Sequence, residues 1–254
     1  MMLWHKAWLE SRLRLLLGAV VIGAACAVAV LFHTPIRAAL ATSTPPLSTD
    51  AAYMYRTVYQ GFVRFAFMML AFILGLGGLL RERDVGTSAF TLALPVTRLR
   101  LLAVRATVGL LELAALAILP AIVIAALSPI AHMQYPVSQT LRFAVLWLAA
   151  GSTLFAAAFL CSSLMGGEYT AFVIAWIAFF GHTVTTQYMR IRHPEWSAYL
   201  FTVQEVMSGF RMAYFDPSAR VLVGPFPLAI VAAVSAVSAL MISAAVAYTN
   251  RRDF

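Results

Sequence analysis

Glu112 stands alone in an otherwise uncharged apolar run, and His182 interrupts a second such run. An ionisable side chain at membrane depth usually faces a bundle interior or a cavity. There it marks a path for a proton, an ion or a substrate, or it pairs structurally. Arg105 precedes Glu112 by seven positions on the same helical face, about 10 Å away at a rise of 1.5 Å per residue. Direct pairing within one helix is therefore not expected, and a partner for Glu112 has to come from another element or another subunit. Pathway residue and half of a structural pair both remain open for Glu112. His182 reads as a hydrogen-bonded packing residue ahead of a ligand or proton carrier.

Other reactive patterns fall short. His5, His33, His132 and His193 are scattered without metal-ligand spacing, and Cys26 and Cys161 both lie in apolar blocks. Gly86-Thr87-Ser88 begins like a hydrolase elbow, but Phe90 stands where the closing glycine is required. A Ser152–His182 pair for intramembrane proteolysis has no support in spacing. Lys6 is the single lysine, and Leu3-Trp4-His5 before it and Ala7 after it make no phosphate-binding loop. No catalytic residue, cofactor site or metal site is expected, so any ATP must be hydrolysed on another chain.

These residues are carried by a strongly apolar chain of 254 residues, 62% hydrophobic and 11% charged, with a mean hydropathy of +0.87. Ordinary soluble domains are about 45–50% apolar and about 25% charged. Disorder is excluded by the same composition. The apolar excess comes in long blocks, which points to a membrane-embedded, all-α protein. The net charge of +8 fits cytoplasmic loops and anionic lipid better than nucleic acid.

Six spans are expected at about 15–32, 58–80, 103–127, 143–165, 170–187 and 226–248, all in one domain covering 1–254. A mid-membrane acid costs about 2.5–3.5 kcal/mol, by analogy with Asp. The eleven Leu, Ile and Val residues of Ala106–Leu127 in the third span return roughly 5 kcal/mol, so Glu112 does not prevent insertion. Ala39-Leu40-Ala41 looks like a leader cleavage site, but the apolar run before it is too long and ends too early, so a retained first span is expected. Six spans put both termini on one side, and the dense arginines beside the inner ends place that side in the cytoplasm.

Two polar segments carry helical patterns. In 3–15, Trp4, Trp8 and Leu15 share one side while Lys6/Glu10 and Glu10/Arg14 pair on the other, predicting an interfacial helix or a polar extension of the first span. In the outer segment 188–225, Pro194 and Glu195 suit a helix start and Gly209 its end, with Trp196, Tyr199, Leu200, Val203 and Met207 at helical spacing. That predicts an amphipathic helix, at the outer interface or packed on the bundle. Ser235, Ala239, Ser243 and Ala247 form a small-residue stripe in the last span, suited to packing within or between subunits.

The segment from Arg81 to Leu102 is the most informative. A charged turn leads to Gly86, and Thr87 or Ser88 can cap a short helix, about 86–95, that Pro95 stops. The pattern Glu82, Gly86-Thr87, Leu94-Pro95-Val96-Thr97-Arg98 and Leu101-Leu102 resembles the inner loop of ABC-2 type permeases, the type-2 membrane subunits of ATP-binding-cassette transporters. Ala89 and Phe90 stand where that family often has an acid. The ending Arg251-Arg252-Asp253 is similar to the family's usual close, and the resemblance extends over the whole chain.

The resemblance implies a six-span permease subunit of a bacterial inner membrane, paired with a second permease subunit and with cytoplasmic ATPase subunits. It makes Glu82, Gly86, Thr87, Phe90, Leu94, Pro95 and Arg98 the ATPase-coupling residues of a short cytoplasmic coupling helix. A smaller contact is implied around Gly166-Gly167-Glu168-Tyr169, and external re-entrant helices before the last span. The expected function is export of a hydrophobic or amphipathic substrate. An ion- or proton-coupled secondary carrier, or a membrane immunity or sensor subunit, is the alternative.

Overall fold

The computed structural model describes residues 2–40, 49–76, 97–165, 167–197, 199–209 and 215–251. Six of its helical segments are long and apolar enough to cross a membrane. The first is α1, Met2–Leu31, one unbroken helix of 30 residues. Residues 3–15 therefore extend the first span and are not a separate interfacial helix. No glycine or proline separates Met2 from Gly18, so nothing in the backbone interrupts helical hydrogen bonding. At 1.5 Å per residue α1 is about 45 Å long and outreaches a hydrocarbon core of about 30 Å. Trp4 and Trp8 are exposed along it.

The short helix α2, His33–Ala39, follows, then α3, Asp50–Met54, whose Thr49 cap accepts from the Ala52 amide. A π-turn, Tyr55–Tyr59, joins α3 to α4, Phe62–Gly75, so the second span is a composite with a break at Gln60-Gly61. Next come α5, Arg98–Leu127, with Pro120 inside it, and α6, Val137–Leu164. The fifth span, α7, Glu168–Arg192, runs past its expected end at 187 and is followed by a 3₁₀ turn, Pro194–Trp196. A short helix α8, Val203–Ser208, and a two-residue-per-strand hairpin, β1 Phe215–Asp216 and β2 Val221–Leu222, precede α9, Leu228–Arg251. The strands are antiparallel, with Phe215 opposite Leu222.

α6 is the central post. It packs against α9, α5, α4, α7 and α8, while α1 packs on α5 and α4. Its apolar stretch is 72% buried, against 22% for α7 and 11% for α9. Trp147, Phe143 and Phe155 of α6 are fully buried with Phe67 and Tyr59, and Tyr59 stacks on Phe143 at 4.0 Å between ring centroids. α4 lies so close to α6 that a Cβ on Gly75 would fall 2.4 Å from the Phe155 carbonyl oxygen.

The segment between α7 and α9 departs from the single amphipathic helix expected between Pro194 and Gly209. A 3₁₀ turn begins it, the chain leaves the helical path at Leu200–Phe201, and Thr202 starts α8 afresh. The cause is a reciprocal cap: Thr202 Oγ1 accepts the Glu205 amide while Glu205 Oε2 accepts the Thr202 amide. Gly209 ends α8 in the left-handed region, φ +66°, where a glycine carries no steric cost. The hairpin, which sequence periodicity did not signal, is tied to α6: Gln139 and Arg142 donate to the Leu222 carbonyl, and the Leu222 amide donates back to Gln139 Oε1.

Candidate functional site

The expected coupling helix, with Glu82, Gly86, Thr87, Phe90, Leu94 and Pro95, lies outside the described residues. Its two mountings do not. Arg98 opens α5 immediately after Thr97, whose hydroxyl accepts the Arg100 amide at 3.4 Å as an N-cap. On the other side, Arg14 of α1 donates through Nη1 to the carbonyls of Ile73, 3.0 Å, and Leu76, 3.2 Å. A guanidinium placed on the last carbonyls of a helix satisfies orphan acceptors and meets the negative end of its dipole. Both helices that flank the segment are thus fastened where it leaves and re-enters them. Between α6 and α7, where the resemblance implies a smaller contact, Gly167 precedes α7 and Tyr169 is exposed.

Glu112 is 3% exposed, buried between α1 and α5. Ser11 of α1 donates to its Oε1 at 2.5 Å, and Oε2 has no partner among the described residues. Arg105 lies 3.6 Å from Oε2 of Glu10, whose other oxygen is 3.7 Å from Lys6. The partner of Glu112 therefore comes from α1 of the same chain. Sequence spacing within α5 carried no hint of it, because the two residues are 101 positions apart.

His182 sits elsewhere, exposed on the rim of a groove between α6, α7 and α9. It makes no hydrogen bond to the described residues, which corrects the expectation of a hydrogen-bonded packing histidine. The reason is its exposure on the groove lining, where its ring faces open space. Ser152 does not pair with His182: its hydroxyl donates to the Ala149 carbonyl and meets Ser238 of α9 at 3.0 Å. Thr153 shares the same Ser238 hydroxyl at 3.0 Å. Ser238, not the stripe of Ser235, Ala239, Ser243 and Ala247, faces the bundle; all four stripe residues are exposed. Glu112 and His182 are not brought together, so no relay joins them.

The groove holds about 610 Å³, within the range of about 300–1,000 Å³ typical of small-molecule sites. Its floor and walls are rich in alanine, including Ala150, Ala157, Ala175 and Ala233. Small side chains leave the space open. Phe201, Val203 and Val206, from the segment between α7 and α9, also line it.

That segment is clasped by a pair that sequence reasoning missed. Arg190, in the last turn of α7, donates to Glu205 through both arms, Nη1–Oε1 2.7 Å and Nη2–Oε2 2.6 Å. It also donates to the Leu200 carbonyl. The side chains are 5% and 12% exposed. Burial works to raise the Glu205 carboxyl, but the hydrogen bonds from Arg190 and Thr202 outweigh it and hold the group below its ordinary value. The expectation of one helix running through Thr202 missed the Thr202–Glu205 capping box as well as the reach of Arg190 back to it. At the same end of the bundle, Arg37 meets Asp50 at 2.5 Å, and the second Asp50 oxygen accepts the Gln134 amide at 2.9 Å. This pair joins α2, α3 and the α5–α6 turn. Compared with known proteins, the chain matches no family model, no curated protein and no solved structure.

Proposed function

We propose that this chain is the membrane-spanning subunit of an ATP-driven transporter of the ABC-2 type, which exports a hydrophobic or amphipathic substrate and leaves ATP hydrolysis to separate cytoplasmic ATPase subunits. One observation carries the reading: the pattern from Glu82 through Arg98 falls in the connection between the second and third of six membrane-capable helices. Support comes from the mountings of that connection. Arg14 grips the end of α4 and Thr97 caps the start of α5, so a push on the segment between them is delivered to two packed helices at once. Rigid-body rearrangement driven in this way is an established mode of switching. The apolar groove beside α7 and α9 fits a hydrophobic cargo. In this reading the subunit sits in a bacterial inner membrane with both termini cytoplasmic, beside a second permease subunit.

The test is co-purification with an ATP-binding-cassette ATPase encoded beside this chain, followed by ATPase assays in nanodiscs. The double variant Glu82→Ala and Arg98→Ala is expected to weaken ATPase stimulation while membrane insertion stays intact. Full stimulation in that variant, or labelling of a cysteine at position 86 from outside the cell, would overturn the reading.

A further inference from the structure

α7 and α9 both lean on α6 and leave between them the groove of about 610 Å³. We infer that this groove is a binding site for a single-chain lipid with an uncharged, hydrogen-bonding head, of the monoacylglycerol kind, drawn from the bilayer.

The chemistry of the lining selects that class. Among the described residues no Asp, Glu, Lys or Arg lines the groove. A charged head would find no counter-ion among those residues. The nearest clasp, Arg190 with Glu205, is spent on itself. Of the polar lining residues, Thr153 already meets Ser238, whereas His182 and the exposed Tyr199 make no side-chain hydrogen bond to the described residues and can meet a hydroxyl or ester. The alanine walls and the Phe179 and Met241 side chains suit an aliphatic chain. Only 22% of α7's apolar stretch and 11% of α9's are buried within the chain, so the flanks of the groove are left uncovered by it.

The site stands on the groove alone. Only its reading as a cargo site rests on the transporter proposal, and binding is measured without an ATPase, so the two can fail separately. The experiment uses the full chain in nanodiscs with a diazirine-bearing monoacylglycerol. Photolabelling is expected on α7 and α9, competed by unlabelled monoacylglycerol but not by a lysophosphatidylglycerol or an alkyltrimethylammonium of equal chain length. Ala175→Trp and Ala233→Trp should abolish it, with Ala178→Leu as the milder filling variant and gel filtration confirming the fold. His182→Leu should weaken binding about fivefold, the worth of one hydrogen bond, and His182→Gln should restore it. Equal competition by the charged lipids, labelling indifferent to the filling variants or to His182→Leu, or disulfide cross-linking of Ala233→Cys between two chains with loss of labelling would each overturn the assignment.

Discussion

Arg190 and Glu205 form a two-armed ion pair that joins the end of the fifth span to the first turn of α8, with both side chains nearly removed from solvent. A fork-to-fork pair of this kind fixes angle as well as distance. Breaking one side leaves a buried charge alone, which costs about 3–5 kcal/mol. Glu205→Ala is therefore expected to lower the thermal unfolding midpoint of the purified chain clearly more than Thr202→Ala. The threonine variant loses one cap, worth about 1 kcal/mol. Equal midpoints for the two variants would show the clasp to be slack.

The same pair sets a pH dependence. The Glu205 carboxyl titrates below its ordinary value in the folded chain, so its contribution is complete above the ordinary glutamate range. It is lost as pH falls through the lower, folded value. Unfolding followed from neutral to acid pH should show stability declining in that window. Glu205→Gln should flatten this part of the profile; an unchanged profile would assign the acid response to other groups.

Gly75 controls how closely the second and fourth spans approach. An alanine there would put its Cβ 2.4 Å from the Phe155 carbonyl oxygen and 2.8 Å from the Ala158 Cβ, and both are parts of α6 that cannot swing aside. Gly75→Ala should destabilise the chain by about 1–3 kcal/mol, the usual cost of overpacking. Because α4 ends at this residue, the variant should also loosen the Arg14 contacts to Ile73 and Leu76, readable as faster amide exchange at the end of α4.

Ser11→Ala removes the one described hydrogen bond to Glu112 and should cost about 1–3 kcal/mol. In that background Glu112→Gln should recover part of the loss, since a neutral amide is cheaper to bury than an unpaired carboxylate. Denaturant titration of the three variants measures this. A Glu112→Gln change that worsens Ser11→Ala would mean the charge itself is needed.

How much of this was legible depends on the range over which each feature is encoded. Six helices followed from runs of apolar residues, because a helix satisfies its backbone within the run and needs no knowledge of its neighbours. The ends were less legible: α7 continues past residue 187 because Arg190 finds Glu205, a partner beyond the helix, and residues 3–15 join α1 because Arg14 and Ser11 find α4 and α5. Glu112 and His182 stood out as polar residues in apolar surroundings, yet their environments proved opposite, one buried against a serine and the other open on a groove rim.

By itself the amino-acid sequence determined the membrane-suited, apolar character of this chain, the number of its long apolar helices, and the position of the segment between the second and third of them. These are properties of composition and of contacts within a few residues. Only the tertiary structure decided that α6 stands at the centre, that Arg14 meets the end of α4, and that alanines from three helices leave a groove. Which side chains meet across helices depends on how those helices rotate and lean against each other, and that is set by packing over the whole bundle.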